Sequence, residues 1–267
     1  MLGDCKLPAF RAIVSTALER VRDDAASSAE IADLMSSDPG LSVRLLGTVN
    51  SAAFALRHQV RSVHHAVSLL GRNQLESMLI SIATRDALPR EPGRGFEPQR
   101  FWVTAARRAT TGRAIAELID PATRSESFTA SLLQDLAIPL LSSSKGDEYG
   151  AVLVRWHDGD EDLARLERET FGWDHAEVAG WVCRAWDFPE PLTVAIGNHH
   201  GAADDASPQD ALPAVGLVSV LREVDEQSGI EQLAERVEAN HGIERDQTRE
   251  LVRESFDAAS DIARLFA

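Results

Sequence analysis

The sequence predicts an all-α fold. Apolar residues recur every three or four positions along most of the chain, which is the spacing of one helix face. Capping residues stand directly before several of these runs. No alternating apolar–polar run of strand length occurs before residue 90.

Leu7-Pro8-Ala9-Phe10 opens the first helix, with Phe10, Ile13, Val14, Ala17, Leu18 and Val21 on one face. Ser27 and Glu30 form a capping box, in which each side chain can meet the other's amide, ahead of Ile31, Leu34 and Met35. Asp38-Pro39 supplies an N-cap and a proline at the first helical position. Leu41, Leu45, Leu46 and Val49 then face inward, and Asn50-Ser51 closes the third helix. Ser62 caps a run through Val63, Ala66, Val67 and Leu70 that stops at Gly71. Asn73 starts the next, through Leu75, Met78, Leu79 and Ile82. Residues 90–98 hold two prolines and two glycines, the best candidate for a boundary between subdomains.

Past that break, Phe101, Trp102, Ala105, Ala109, Ile115 and Leu118 mark a longer helix. Residues 127–141 read as one buried helix capped by Ser125, because Phe128, Leu132, Leu133 and Leu136 share a face. Asp135 lies one step off that face. A carboxylate at the edge of a core must be paired, hydrogen-bonded or metal-bound, since desolvating it alone is costly. Residues 148–156 form a further helix, and the charges around Leu163 and Leu166 suggest a short exposed one. Asp174 and Glu177 make a second capping box before Val178, Trp181, Val182 and Trp186, two tryptophans read as core rather than as a stacking platform. After the break at 188–191, residues 192–199, 215–224, 230–239 and 246–266 complete the helical set, with a loop at 207–213.

Composition narrows the function classes. The chain has 267 residues, 44% of them hydrophobic and 26% charged, which suits a globular core. A net charge of −15 repels phosphates, which argues against nucleic acid and anionic membranes as partners. No apolar run approaches the ~20 residues that cross a bilayer. The first six residues lack the basic and apolar regions of a signal peptide. Cys5 and Cys183 are too few for a disulfide framework or a cysteine zinc site. A cytoplasmic protein with reduced thiols is expected.

The ordered motifs resemble those of the HDOD family, a divergent branch of the HD-domain phosphohydrolases. Leu7-Pro8, Ser37-Asp38-Pro39-Gly40-Leu41 and Asn50-Ser51-Ala52-Ala53-Phe54 match its amino-terminal signature, and residues 63–71 its following helix. Phe101-Trp102 and Leu132-Leu133-Gln134-Asp135 fall where the family carries its tryptophan-led helix and its doublet segment. Glu169, Phe171-Gly172, Asp174-His175, Trp186, Phe188-Pro189, Ile196 and His199-His200 match the later half. The resemblance implies an HD-like helical bundle with an additional amino-terminal subdomain: one unit over 1–267, with 1–89 and 99–267 joined by 90–98.

The resemblance also implies a ligand set, and the chain departs from it. Catalytic HD proteins hold metal with a histidine on an earlier helix, a His-Asp doublet and a late aspartate, leaving positions for water and phosphate. Here the doublet is Gln134-Asp135, and an amide replaces imidazole poorly on a transition metal. The earlier histidine would fall near Thr104, and the late aspartate at Leu221 or Arg222, with Asp225 about one turn too far. His175 can serve the helix start or join Asp135 as a residual ligand. His199 and His200 can satisfy terminal carbonyls, and as helix neighbours they point about 100° apart, so both can face one ion only across a break. Asn50-Ser51 reads as a helix end, or as part of a partner surface.

No catalytic residue and no cofactor are therefore expected. If a divalent metal binds (iron, manganese or zinc), the candidates are Asp135, His175, His199 and His200. The expected function is a non-catalytic bacterial signal-transduction or regulatory module that binds a protein partner or a nucleotide-type ligand. The alternative is a metal-dependent phosphohydrolase acting on a nucleotide or cyclic dinucleotide.

Overall fold

In the computed structural model, the described residues are 7–54, 56, 58–89, 93–159, 161–200, 212–223 and 226–266. Cys5, Asp225, residues 90–92 of the interdomain break and residues 207–211 of the late loop lie outside them. The described residues form α-helices and short 3-10 turns, with no β-strand among them.

Helices α1 (Ala12–Arg22), α2 (Ser28–Ser36) and α3 (Pro39–Val49) pack around α4 (Val63–Ala87). Their starts follow local chemistry. The Ser27 amide donates to Glu30 Oε2 at 2.7 Å, and the Glu30 amide returns to Ser27 Oγ at 3.2 Å. Asp38 Oδ1 accepts from the Leu41 amide at 2.7 Å, and Ser62 Oγ from the His65 amide at 3.2 Å. Gly71 interrupts α4 with φ 69° and ψ 175°, a left-handed backbone that glycine adopts without a Cβ penalty. The two runs expected on either side of Gly71 are thus two helical segments that meet at a kink.

After the break come α5 (Pro98–Ile119), α6 (Arg124–Leu133), α7 (Ala137–Lys145), α8 (Asp147–Asp158), α9 (Leu163–Phe171), α10 (His175–Ala185) and α11 (Glu190–Gly197). Then follow α12 (Pro213–Val218), α13 (Glu226–His241) and α14 (Arg245–Phe266). Helix α5 lies against α6, α12 and α14. A main apolar cluster runs from Val14 in α1 to Phe266 in α14, and a second gathers Ile115, Leu217, Val218, Leu233, Val237 and Val252. Because α14 also touches α3 and the 3-10 turn at Ala52–Phe54, the first and second halves share one core.

Three expectations need correction. Residues 127–141 are two helices, α6 and α7, broken at 134–136. Pro139 explains the break: it has no amide to donate, and its ring clashes with the carbonyl of Asp135, four residues back. That carbonyl instead accepts from the Ile138 amide at 2.9 Å. Secondly, α6 begins at Arg124 after a 3-10 turn at Pro121–Thr123, so Ser125 lies inside the helix and does not cap it. Thirdly, α9 is exposed on one face only: Arg165, Arg168, Glu169 and Thr170 face outward, whereas Leu163, Ala164, Leu166 and even Glu167 are buried.

Candidate functional site

The break between α6 and α7 turns Asp135 toward a buried polar cluster. Arg108 comes from α5, Glu167 from α9, His175 from the first turn of α10, and His199 and His200 from the turn after α11. Gly180 of α10 and Gly197 of α11 allow their helices to approach closely, because a Cβ on Gly180 would stand 3.1 Å from the Gly197 Cα.

His175 is held from two sides. Asp174 caps α10 by accepting from the Glu177 amide at 3.0 Å. The His175 amide donates to Glu167 Oε2 at 2.8 Å, and its Nδ1 lies 2.6 Å from the same oxygen. The other Glu167 oxygen accepts from the Tyr149 hydroxyl. Burial alone pushes the His175 imidazole down, but Glu167 and Asp135 outweigh it and hold the group up to about 10. His175 therefore donates from Nδ1 to Glu167, whose carboxylate only accepts. Its Nε2 stands 2.8 Å from His200 Nε2. Burial, with His199 and His175 beside it, pushes His200 well below the ordinary histidine range.

His199 Nδ1 donates to the Ile196 carbonyl at 2.7 Å, which turns Nε2 toward Asp135 Oδ1 at 3.3 Å. His175 Nε2 is 3.4 Å from the same oxygen. These separations permit charge attraction, but Oδ1 lacks the direction of a hydrogen bond to either ring. Asp135 Oδ2 accepts from Arg108 Nη1, and Arg108 Nε donates to the Leu221 carbonyl at 2.5 Å. Burial would raise the Asp135 carboxyl, yet Arg108 and the two imidazoles hold it well below the usual carboxylate range. The pair is largely withdrawn from water, with side-chain exposures of 7% for Arg108 and 12% for Asp135.

The structure brings together Asp135, His175, His199 and His200. Both adjacent histidines reach the cluster because α11 ends at Gly197 and Asn198 leaves helical geometry, supplying the required break. The ligand nitrogens of His175, His199 and His200 lie within 4.8 Å of one another. The anchoring of His175 by Glu167 and of His199 by the Ile196 carbonyl is the support that metal-binding histidines use to hold orientation. This donor set fits one divalent ion. It does not fit a two-metal centre, because Gln134 stands at the doublet and Arg108 already engages Asp135.

Thr104 is buried on α5, one turn before Arg108, and it is Arg108 that reaches Asp135. Gln134 is buried, with neither amide atom hydrogen-bonded among the described residues. Leu221 enters the cluster through its carbonyl, whereas Arg222 turns to Asp162 at 3.2 Å. Asn50 and Ser51 are engaged within the fold, as the helix-end reading expects. Asn50 bonds Val60 in both directions, at 2.8 Å and 2.7 Å, and buried Ser51 donates to the Thr48 carbonyl at 2.7 Å. Trp186 packs on Phe10, and its indole donates to the Pro8 carbonyl at 3.0 Å.

Arg108, Glu167 and Tyr149 escaped the sequence reading. Arg108 follows Phe101 and Ala105 at helical spacing, and Glu167 follows Leu163, so each charge sits within an apolar stripe. A charge on a buried face requires a partner, and that signal was present.

The sequence profile of the HDOD domain family matches residues 7–202. Among solved structures, a candidate phosphohydrolase from Shewanella amazonensis SB2B superposes with a TM-score of 0.79 at 21% identity, covering 98% of this chain and 95% of its own. An HDOD domain protein from Geobacter sulfurreducens gives 0.72 at 22% identity, covering 98% and 92%. A candidate signal-transduction protein from Marinobacter aquaeolei VT8 gives 0.70 at 20%, covering 97% and 60%. These likenesses show a shared fold. A Treponema pallidum (strain Nichols) protein is 24% identical over 242 residues, 86% of this chain and 45% of the relative, so the chain spans about half of that relative's length. Among the described residues, no helix is long and apolar enough to cross a membrane.

Proposed function

The chain belongs to the HDOD family, and from that premise we propose that it is a non-catalytic cytoplasmic module for signal transduction or regulation, acting through a protein partner or a small ligand. The observation that supports this reading is the Arg108–Asp135 ion pair. Where a hydrolase of this fold needs an open carboxylate beside a histidine, this chain has a carboxylate bonded to a guanidinium and a glutamine beside it. Glu167 and Tyr149 brace the cluster from behind, so the polar centre ties α5, α8, α9 and α10 to the turns after α6 and α11.

The test is a thermal-shift panel of nucleotides and cyclic dinucleotides, alongside capture by the immobilised full-length chain. A ligand that raises the melting temperature without being consumed supports the proposal, as does a captured protein whose binding is saturable with purified material. Neither ligand nor partner would count against it.

One observation favours the second reading, a metal-dependent phosphohydrolase: the convergence of His175, His199 and His200. A divalent ion held there with Asp135 Oδ1 would supply Lewis-acid chemistry and an activated water. Stoichiometric iron, manganese or zinc in purified protein, lost in Asp135→Ala, would favour it. Metal-free protein that leaves nucleotides intact after reconstitution would remove it.

A further inference from the structure

We propose that the Arg108 guanidinium is a built-in counter-ion that keeps Asp135 out of a metal's ligand set. The cluster then offers a divalent ion three imidazole nitrogens and no carboxylate. This rests on reading Asp135 as a retired ligand, and it adds what retires it.

Spacing alone does not exclude Asp135. Its Oδ1 lies 3.4 Å from His175 Nε2 and 3.3 Å from His199 Nε2. Two donors bound to one ion at about 2.0–2.2 Å stand roughly 3.3 Å apart in a tetrahedral site. The same Oδ1 is a buried oxygen with no hydrogen-bond partner among the described residues. His199 Nε2, facing it, is likewise unpartnered. The position is thus set for a carboxylate ligand in geometry.

Charge is what closes it. Arg108 bonds the other carboxylate oxygen and brings a positive charge within a few bonds of any incoming cation. With 7% of its side chain exposed, Arg108 is poorly screened by solvent ions. Guanidinium does not release its proton in a protein, so it cannot step aside as an imidazolium or ammonium can. It is also tethered: Nε holds the Leu221 carbonyl beyond α12, and the backbone belongs to α5. One side chain therefore spans both the carboxylate of the doublet and the segment where the late acidic ligand would stand.

The experiment uses the full metal-free chain. Zn(II) affinity is measured by competition with a chromophoric chelator, and Co(II) is titrated so that its visible spectrum reports the donor set. Wild type is compared with Arg108→Gln, with Arg108→Gln/Asp135→Asn, and with Arg107→Gln as a charge control on the same helix. Arg107 pairs with Glu226 and lies over the Phe256 ring, away from the cluster. The proposal expects Arg108→Gln to bind Zn(II) about tenfold tighter or more, the scale by which groups around metal ligands tune affinity. Its Co(II) spectrum should change, and both gains should vanish in the double variant and be absent in Arg107→Gln. Equal affinity in wild type and Arg108→Gln overturns the proposal, as does a gain that survives in the double variant. If Arg108→Gln is unfolded without metal, its melting temperature is read with and without Zn(II). A rise larger than that of wild type supports the proposal, and no rise overturns it. Hydrolysis is not read, so a wild type that turned over nucleotides would defeat the functional reading and leave this result standing.

Discussion

Arg108 of α5 and Asp135, in the turn between α6 and α7, meet as a buried ion pair at the centre of the helical bundle. Desolvating two charges costs energy that their attraction only partly offsets, so such a pair adds little net stability, while breaking it leaves one charge unpaired. Arg108→Ala and Asp135→Ala are each expected to cost about 3–5 kcal/mol in denaturant unfolding. An apolar pair, Arg108→Met with Asp135→Leu, should cost less than either single change. Single variants within about 0.5 kcal/mol of wild type, the usual spread for surface sites, would contradict a buried pair.

Asn50 holds the loop to Val60 with both ends of its amide. Asn50→Ala should lower stability by about 1–3 kcal/mol, because two backbone groups lose their partners. An unchanged denaturation midpoint would return Asn50 to the surface role considered from the sequence.

The Leu41 amide at the start of α3 holds the Asp38 carboxyl below its ordinary value of 3.8, and Arg11 adds to this. A carboxyl depressed on folding contributes stability that is fully present above 3.8 and is lost as pH falls through the folded value. Asp38→Ala should therefore cost about 1 kcal/mol at neutral pH. The gap to wild type should narrow below pH 4, a window that follows from the same depressed carboxyl. A gap that stays constant from pH 7 to pH 3 would place the cost elsewhere than in the charged cap.

Burial pushes the Cys183 thiol up to about 12. Since the thiolate is the reactive form, Cys183 should resist thiol reagents in folded protein. In a Cys5→Ser variant, no labelling is expected before denaturation and one equivalent after it. Rapid native labelling would show that the α10 face opens.

Local features were legible in the sequence, and convergent ones were not. Ser27 with Glu30, Asp38 with Pro39, Ser62 and Gly71 act within three residues of themselves, so their signals survive without tertiary context. The break at 134–136 was missed although Pro139 was visible, because the apolar period of 128–136 outweighed one proline late in the run. The four polar residues Asp135, His175, His199 and His200 were identified, yet their meeting depends on the Gly180–Gly197 approach and on where α11 ends. Arg108 lay hidden as one half of an Arg-Arg pair. Only the fold tells that Arg107 faces Glu226 while Arg108 faces Asp135.

Regulation without catalysis is the proposed function of this chain. The most direct measurement is hydrolysis of a nucleotide and cyclic-dinucleotide panel by purified protein loaded in turn with iron, manganese and zinc. No turnover above buffer is expected with any metal. Turnover that Asp135→Ala and His175→Ala each abolish, in variants that remain folded, would contradict it.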